Sequence, residues 1–218
     1  MKRFEIFISF IFYCYFLNAQ TIVTIDGIPR DTSFTVHSTF VKESKKRPYI
    51  KIAQPVVSNN ILEYRQITYS SPTPQRDLRL NIYRPNDNKA YPALLMVHGG
   101  GWSSGNQTME IPMAQQIALK GYVTIPVEYR LSPEAIYPAA VLDLKTAIRW
   151  IRAHASEYGI DTSKIAISGC SSGGQLAMLI GTTNFQAEYE DSREYSTYAS
   201  NVHAIINIDG ISDFSTES

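Results

Sequence analysis

An excess of charge of either sign is missing from this sequence: 20 basic side chains are matched by 20 acidic ones. Apart from the short basic cluster "KESKKR" at 42–47, no run of charge stands out, and that cluster reads as a solvated loop. The balance removes the electrostatic footprint by which a nucleic-acid partner would be recognised, so none is expected. Cysteine is also scarce. There are 2, Cys14 and Cys170, and if Cys14 is lost with a signal peptide the one remaining cysteine excludes disulfides as a source of stability even in an oxidising compartment. No apolar run is long enough to span a bilayer, which takes ~20 residues. Internal repeats and low-complexity tracts are absent too. What remains is a chain of 218 residues, 44% hydrophobic and 18% charged, long enough to bury a sizeable core as one globular domain with a short appendage.

The longest apolar run, Ile6 to Leu17, follows Lys2 and Arg3 and ends in Asn18, Ala19 and Gln20. It lacks the polar positions at helical spacing that a buried surface helix would show. Basic start, short apolar stretch and small residue near its end fit a secretory signal peptide over 1–19. Cleavage near Ala19 would remove Cys14 and leave no membrane anchor, so a periplasmic or extracellular protein is expected.

Residues 20–60 read as a polar N-terminal extension of short strands and loop. From 61 to 218 the text changes. "ILEYRQITYS", the turn signals "SPTPQ" and the alternating "LRLNIYRP" predict an antiparallel hairpin. Continuous apolar runs follow, "ALLMV", "YVTIPV", "KIAIS" and "VHAIINI", which suit strands covered on both faces. Between them lie helical segments. The clearest is "PAAVLDLKTAIRWIRAHASEYG", with Val141, Leu144, Ile148 and Ile151 on one stripe and Gly159 as a stop. Strand and helix in alternation predict an α/β class, a mostly parallel sheet with helices on both faces, whose ligands sit at the carboxyl ends of the strands.

Two motifs stand at such ends. Gly169-Cys170-Ser171-Ser172-Gly173 fits G-x-S-x-G between a strand run and the helical run "GQLAML", the context of a nucleophile elbow. A turn that sharp leaves room only for small neighbours. It lifts the Ser171 hydroxyl above the sheet edge and sets the Ser172 N–H at a helix start, where the dipole favours a developing oxyanion. "MVHGGGW" follows the strand "ALLMV". Its glycines lack the spread of a dinucleotide fingerprint and the Lys-Ser/Thr of a P-loop, so an oxyanion hole built from the N–H groups of Gly100, Gly101 and Ser172 is the better fit. Neither a metal nor an organic cofactor is expected.

With "EYRLSPE" at 128–134, these segments resemble the hormone-sensitive-lipase-like branch of the α/β-hydrolases and, more closely, bacterial feruloyl-esterase-like (BD-FAE-like) domains. The similarity runs from about Leu62 to Phe214. It implies a secreted serine carboxylesterase acting on a small ester or an acylated plant polysaccharide, with acetyl or feruloyl as the acyl group. The alternatives are a peptidase or amidase on the same fold, or a non-catalytic carbohydrate-binding relative that lost its triad.

In this fold the triad runs Ser, then Asp or Glu, then His. His98 precedes the nucleophile and is expected to orient the glycine loop. His203 begins a strand and is expected to be structural. The acid and the histidine are therefore expected beyond Ser218, with the chain lacking its last strands and helices; Asp209 or Asp213 is the alternative for the acid. Cys170 is expected in the core, Arg130 and Glu134 as an ion pair or loop anchors, and Trp102 against the acyl pocket or in local packing. If the first residues direct export, protein secreted by a bacterial host should begin at or beside Gln20 by intact-mass measurement. A secreted chain that keeps Met1 contradicts the reading.

Overall fold

The alternation in "LRLNIYRP" needs one face covered, and it is: Leu78, Leu80 and Ile82 are fully buried. In the computed structural model, which describes residues 22–25, 27–190 and 194–215, this segment is strand β4 (Arg76–Pro85), antiparallel to β3 (Ile61–Thr73). The residues read as a turn, "SPT", instead finish β3, and the reversal shrinks to Pro74 and Gln75. Ser71 Oγ donates to Asp77 Oδ1 across the end of the hairpin at 2.7 Å, and Thr73 pairs with Arg76. The expected signal peptide lies outside the described residues.

The apolar runs become β5 (Tyr91–Val97), β6 (Val123–Val127), β7 (Ile160–Cys170) and β8 (Ala204–Ile208). The sheet order is β3-β4-β6-β5-β7-β8, with β5 parallel to both β6 and β7, and β8 parallel to β7. Along β5 successive side chains enter opposite layers. Leu95 and Val97 pack with α3 (Ala139–Ala153) and α5 (Ser172–Thr182), and Leu94 and Met96 with α2 (Ile111–Ala118). Two covered faces explain why the run has no polar alternation. From β5 the chain steps to β6 on one side, then crosses back to β7 on the other. That makes the carboxyl end of β5 a topological switch point.

Val141, Leu144, Ile148 and Ile151 are fully buried on α3 as their spacing predicts, each worth roughly 1.5–3 kcal/mol. The helical pattern is broken at His154, which separates α3 from the one-turn α4 (Ala155–Tyr158); its ring stacks on Trp150 at 4.1 Å and its Nδ1 lies 2.9 Å from Trp150 O. Gly159 ends α4 in the left-handed region, φ 61°. Lys145 and Arg149 are buried on α3. Lys145 Nζ and Arg149 Nη1 meet the two oxygens of Glu190 at 3.1 and 2.8 Å, tying the segment after α5 to the helix.

The N-terminal extension holds the expected short strands, β1 (Ile22–Ile25) and β2 (Ile28–Asp31), but also a helix that was not expected, α1 (Val36–Ser44). Its β-branched residues mask it in sequence, and a capping box starts it: Ser38 N–H donates to Thr35 Oγ1 at 3.0 Å and Thr35 N–H to Ser38 Oγ at 2.9 Å. Part of the basic cluster forms the end of this helix, where Arg47 pairs with Glu43.

At the far end of the sheet, Ile205, Ile206 and Ile208 of β8 are 39%, 47% and 42% exposed. An apolar, hydrogen-bonding edge of this kind invites pairing with another chain. The 218-residue chain expressed alone should therefore self-associate. Ile206→Lys should raise its soluble monomer fraction in size-exclusion chromatography, and no change would show that the edge is not the cause.

Candidate active site

Because β5 and β7 are neighbours in register, with Val97 opposite Gly169, the segments leaving their carboxyl ends emerge side by side. That adjacency brings the glycine loop, 98–105, against the elbow, 170–174. The packing excludes side chains between them. A Cβ on Gly173 would lie 2.2 Å from Val97 O, and one on Gly169 would lie 2.1 Å from Gly173 O. A Cβ on Gly99 would meet Cys170 O at 2.8 Å and Ser171 Cβ at 3.4 Å.

Ser171 sits at φ 54°, ψ −121°, a conformation that costs a non-glycine residue about 1–3 kcal/mol and is held by its surroundings. Its N–H donates to Ile208 O at 2.9 Å, and its carbonyl accepts Gln175 N–H at 3.0 Å to begin α5. Although Ser171 is the N-cap, its side chain makes no capping bond. The hydroxyl is therefore not consumed by the helix it starts. Ser172 is buried in the first position of α5.

The glycine loop is anchored by its carbonyls. His98 Nδ1 lies 2.8 Å from Gly99 O; a carbonyl can only accept, so Nδ1 carries the proton. Gly100 O accepts from Ser103 N–H, Ser104 N–H and Ser104 Oγ at 3.2, 3.0 and 2.7 Å. In a trans peptide the N–H points opposite to the C=O. Holding the carbonyls of Gly99 and Gly100 thus directs the N–H groups of Gly100 and Gly101 away from those anchors. Gly100 can adopt its φ of 127° only because it lacks a side chain.

His98 is 1% exposed and stacks on Tyr129, ring centroids 4.5 Å apart. The Tyr129 hydroxyl donates to His98 O at 2.9 Å. Burial pulls the imidazole down to about 4; the bond to Gly99 opposes that shift and the Arg30 charge adds to it. A neutral ring whose Nδ1–H is already donated orients the loop. The other histidines are also placed elsewhere: His37 on exposed α1, His154 on Trp150, and His203 at the amino end of β8, where its Nδ1 accepts Ile165 N–H at 3.1 Å.

Two expectations change. Cys170 is exposed rather than in the core: it is the last residue of β7 and pairs with Ile208 of the half-open edge strand. Its thiol is pushed up by partial burial and by the charges of Glu110 and Asp209. Arg130 and Glu134 do not pair with each other. The Arg130 guanidinium forks onto Asp143, Nη2 to Oδ1 at 2.6 Å and Nε to Oδ2 at 2.9 Å, and Glu134 takes Arg76 from the start of β4 at 2.5 Å. Trp102 is held in local packing, one of the two roles expected of it. It lines a cavity of about 390 Å³ with Tyr137, Leu176, Leu179 and Phe214, and its Nε1–H donates to Gln175 Oε1 at 3.1 Å.

Asp209 follows the residue that accepts Ser171 N–H, and Asp213 accepts from Ser215; both are exposed, with no imidazole partner among the described residues. Sequence reading missed Tyr129 and Gln175. The signal for Gln175 is its place one helical turn after Ser171, which puts it on the same face. Among the described residues no group of three or more His, Cys, Asp or Glu side chains converges as a metal site.

Sheet order, elbow and glycine loop together define the α/β-hydrolase fold as it is built in esterases. The family is narrower than that: the BD-FAE family model matches residues 80–218, and the chain belongs to it. Esterase LipC of Mycobacterium tuberculosis is 34% identical over 146 residues, 64% of this chain and 35% of LipC. Among solved structures, a truncated form of a carbohydrate esterase from gut microbiota aligns with TM-score 0.62 and 32% identity over 70% of this chain and 58% of that one. Esterase 2 of Thermogutta terrifontis phosphorylated by paraoxon aligns with TM-score 0.61 and 31% identity, over 73% and 60%. The chain thus spans about a third of LipC and 58–60% of these two structures.

His98 gives the site a measurable pH signature. With its folded value near 4 against an ordinary 6.5, the unfolded chain binds more protons between those limits. The stability that comes from keeping it neutral is full above pH 6.5 and is lost as pH falls towards 4. Glu110, pushed up to about 7 by burial, acts in the opposite sense over nearly the same window. Only a difference between variants isolates the histidine. His98→Asn, which keeps a donor near the Nδ1 position, should destabilise less at pH 5 than at pH 7, by about 2 kcal/mol in urea unfolding. A destabilisation independent of pH would show that His98 is not held neutral.

Proposed function

We propose that the protein is an exported serine carboxylesterase that removes acetyl or feruloyl groups from plant polysaccharides. The observation that carries the reading is the Ser171 hydroxyl: it stands on a strained strand-to-helix turn, free of capping, against a loop whose carbonyls are held so that two N–H groups are released. In this reading Ser171 Oγ attacks the ester carbonyl carbon and its proton passes to a histidine. The oxyanion is received by the N–H groups of Gly100, Gly101 and Ser172, each such donor typically being worth ~3 kcal/mol in the transition state. Collapse of the tetrahedral intermediate expels the alcohol, which takes the proton from the imidazolium. Water then repeats the sequence on the acyl-enzyme. In this reading none of the four histidines of the given sequence takes that proton, and Asp209 or Asp213 is the candidate acid among the described residues.

The esterase name of LipC and the carbohydrate esterase among the structural neighbours support the class. Paraoxon phosphorylates the Thermogutta enzyme, which suits an activated hydroxyl nucleophile. A cavity edged by Gly101, Trp102, Tyr137 and Phe214 lies beside the glycine loop and, in this reading, takes the acyl group.

In the intact protein a fluorophosphonate should label Ser171. Ser171→Ala should abolish labelling and lower kcat/KM by at least ~10³-fold. Ser172→Ala should keep labelling, since that side chain is buried and in this reading Ser172 contributes only its backbone N–H. Residues 20–218 alone should show negligible turnover of acetyl and feruloyl esters. An unlabelled but folded intact protein would favour the non-catalytic alternative.

A further inference from the structure

We propose that Arg30 and Asp31, in the segment preceding the family-matched residues, are positioning residues that hold the glycine loop in its donor-presenting form. The proposal rests on the reading of that loop as an oxyanion hole. It goes beyond the family assignment, which begins at residue 80.

A loop with three consecutive glycines has more backbone freedom to lose than any other segment of its length, so something outside it must fix it. The end of β2 does so from one side. Asp31 N–H donates to Ser103 O at 3.0 Å, and Ser103 Oγ approaches Asp31 Oδ2 at 3.4 Å. Arg30 Nη1 donates to Gly105 O at 2.9 Å, and its Nη2 reaches Glu128 Oε1 at 3.3 Å. Glu128 is itself immobilised by Arg76 Nη2 at 2.9 Å and Arg79 N–H at 3.2 Å. Asp31 is 6% exposed and the Arg30 side chain 17%, so these contacts are shielded from water.

The grip is transmitted by close packing. Gly105 lies so near the loop's first peptide that a Cβ on it would stand 2.5 Å from Gly99 O and 2.8 Å from His98 Nδ1, the two atoms whose bond orients the Gly100 N–H. Ser103, the residue Asp31 holds, donates its own N–H to Gly100 O, the carbonyl that orients the Gly101 N–H. Both donor peptides are therefore one contact removed from residue 30 or 31. The Arg30 charge is also felt at His98 and favours the neutral ring the loop requires.

Oxyanion donors act on the transition state more than on the bound ester, so a loosened loop lowers kcat and leaves KM in place. In the intact protein, Arg30→Ala should reduce kcat about 10- to 100-fold with KM within about twofold, the range expected for a misplacement near 1 Å. Affinity for a boronic-acid transition-state analogue should fall by the same factor. Arg30→Lys should recover part of the loss, because one donor can still reach Gly105 O. Ser38→Ala, which weakens the cap of α1 without touching the loop, should leave kcat unchanged. A folded Arg30→Ala protein with unchanged kcat, a rise in KM alone, or an equal loss in Ser38→Ala would each overturn the proposal. If Arg30→Ala does not fold, Arg30→Lys carries the same comparison, and wild-type kcat there overturns it. A wild-type protein that is folded yet neither labels at Ser171 nor turns over esters would instead sink the underlying reading.

Discussion

The carboxyl ends of β5 and β7 meet the first turn of α5 with no side chain between them, and the rest of the site depends on that contact. Gly173 lies under Val97 O, Gly169 under Gly173 O, and Gly99 against Cys170 O and Ser171 Cβ. Any methyl group at these points would push helix, strand and loop apart. The hydroxyl that the turn presents would then no longer face the loop. The strained dihedrals of Ser171 persist because backbone bonds over-determine them, with Ile208 O holding its N–H and Gln175 N–H holding its carbonyl.

The second element of the design is indirect. Among the described residues the N–H groups of Gly100 and Gly101 have no hydrogen-bond partner; their partner carbonyls are gripped instead, by His98, Ser103 and Ser104. His98 serves this purpose because burial keeps it neutral with its proton on Nδ1, and Tyr129 fixes the ring by stacking and the backbone by a hydrogen bond. Three consecutive residues after β6 divide the surrounding support. Glu128 gathers Arg30 and Arg76, Tyr129 holds His98, and Arg130 forks onto Asp143 of α3. A single short segment at the switch point of the sheet thereby couples the N-terminal strap, the glycine loop and the helical layer.

How much of this can be read without coordinates follows from the range of each interaction. The buried stripe of α3, the runs of β5 and β6, the stop at Gly159 and the small residues of G-x-S-x-G are consequences of local spacing, and each was legible. The capping box of α1 was local as well, but the β-branched residues around it hid the helical period. Cys170 misled because position within a strand tells which face a side chain takes, whereas its exposure depends on whether a neighbour covers the strand's end. Of the two roles read for Arg130 and Glu134, an ion pair or loop anchors, the second holds: each pairs with an ion on another element.

By itself the sequence determined the alternation of strand and helix, the candidate nucleophile and the glycine loop, because glycine placement and apolar period are properties of neighbouring residues. The loop and Ser171 were read as one site, but only the tertiary structure decided how they meet, since that follows from β5 and β7 being adjacent in a sheet whose order is not the order of the chain. It also decided that the loop's carbonyls are its anchors and that Arg30 and Asp31 reach it. The carbonyl anchors are local bonds, but those of Arg30 and Asp31 join residues 75 and 72 positions apart, a separation over which no periodicity in the sequence carries information.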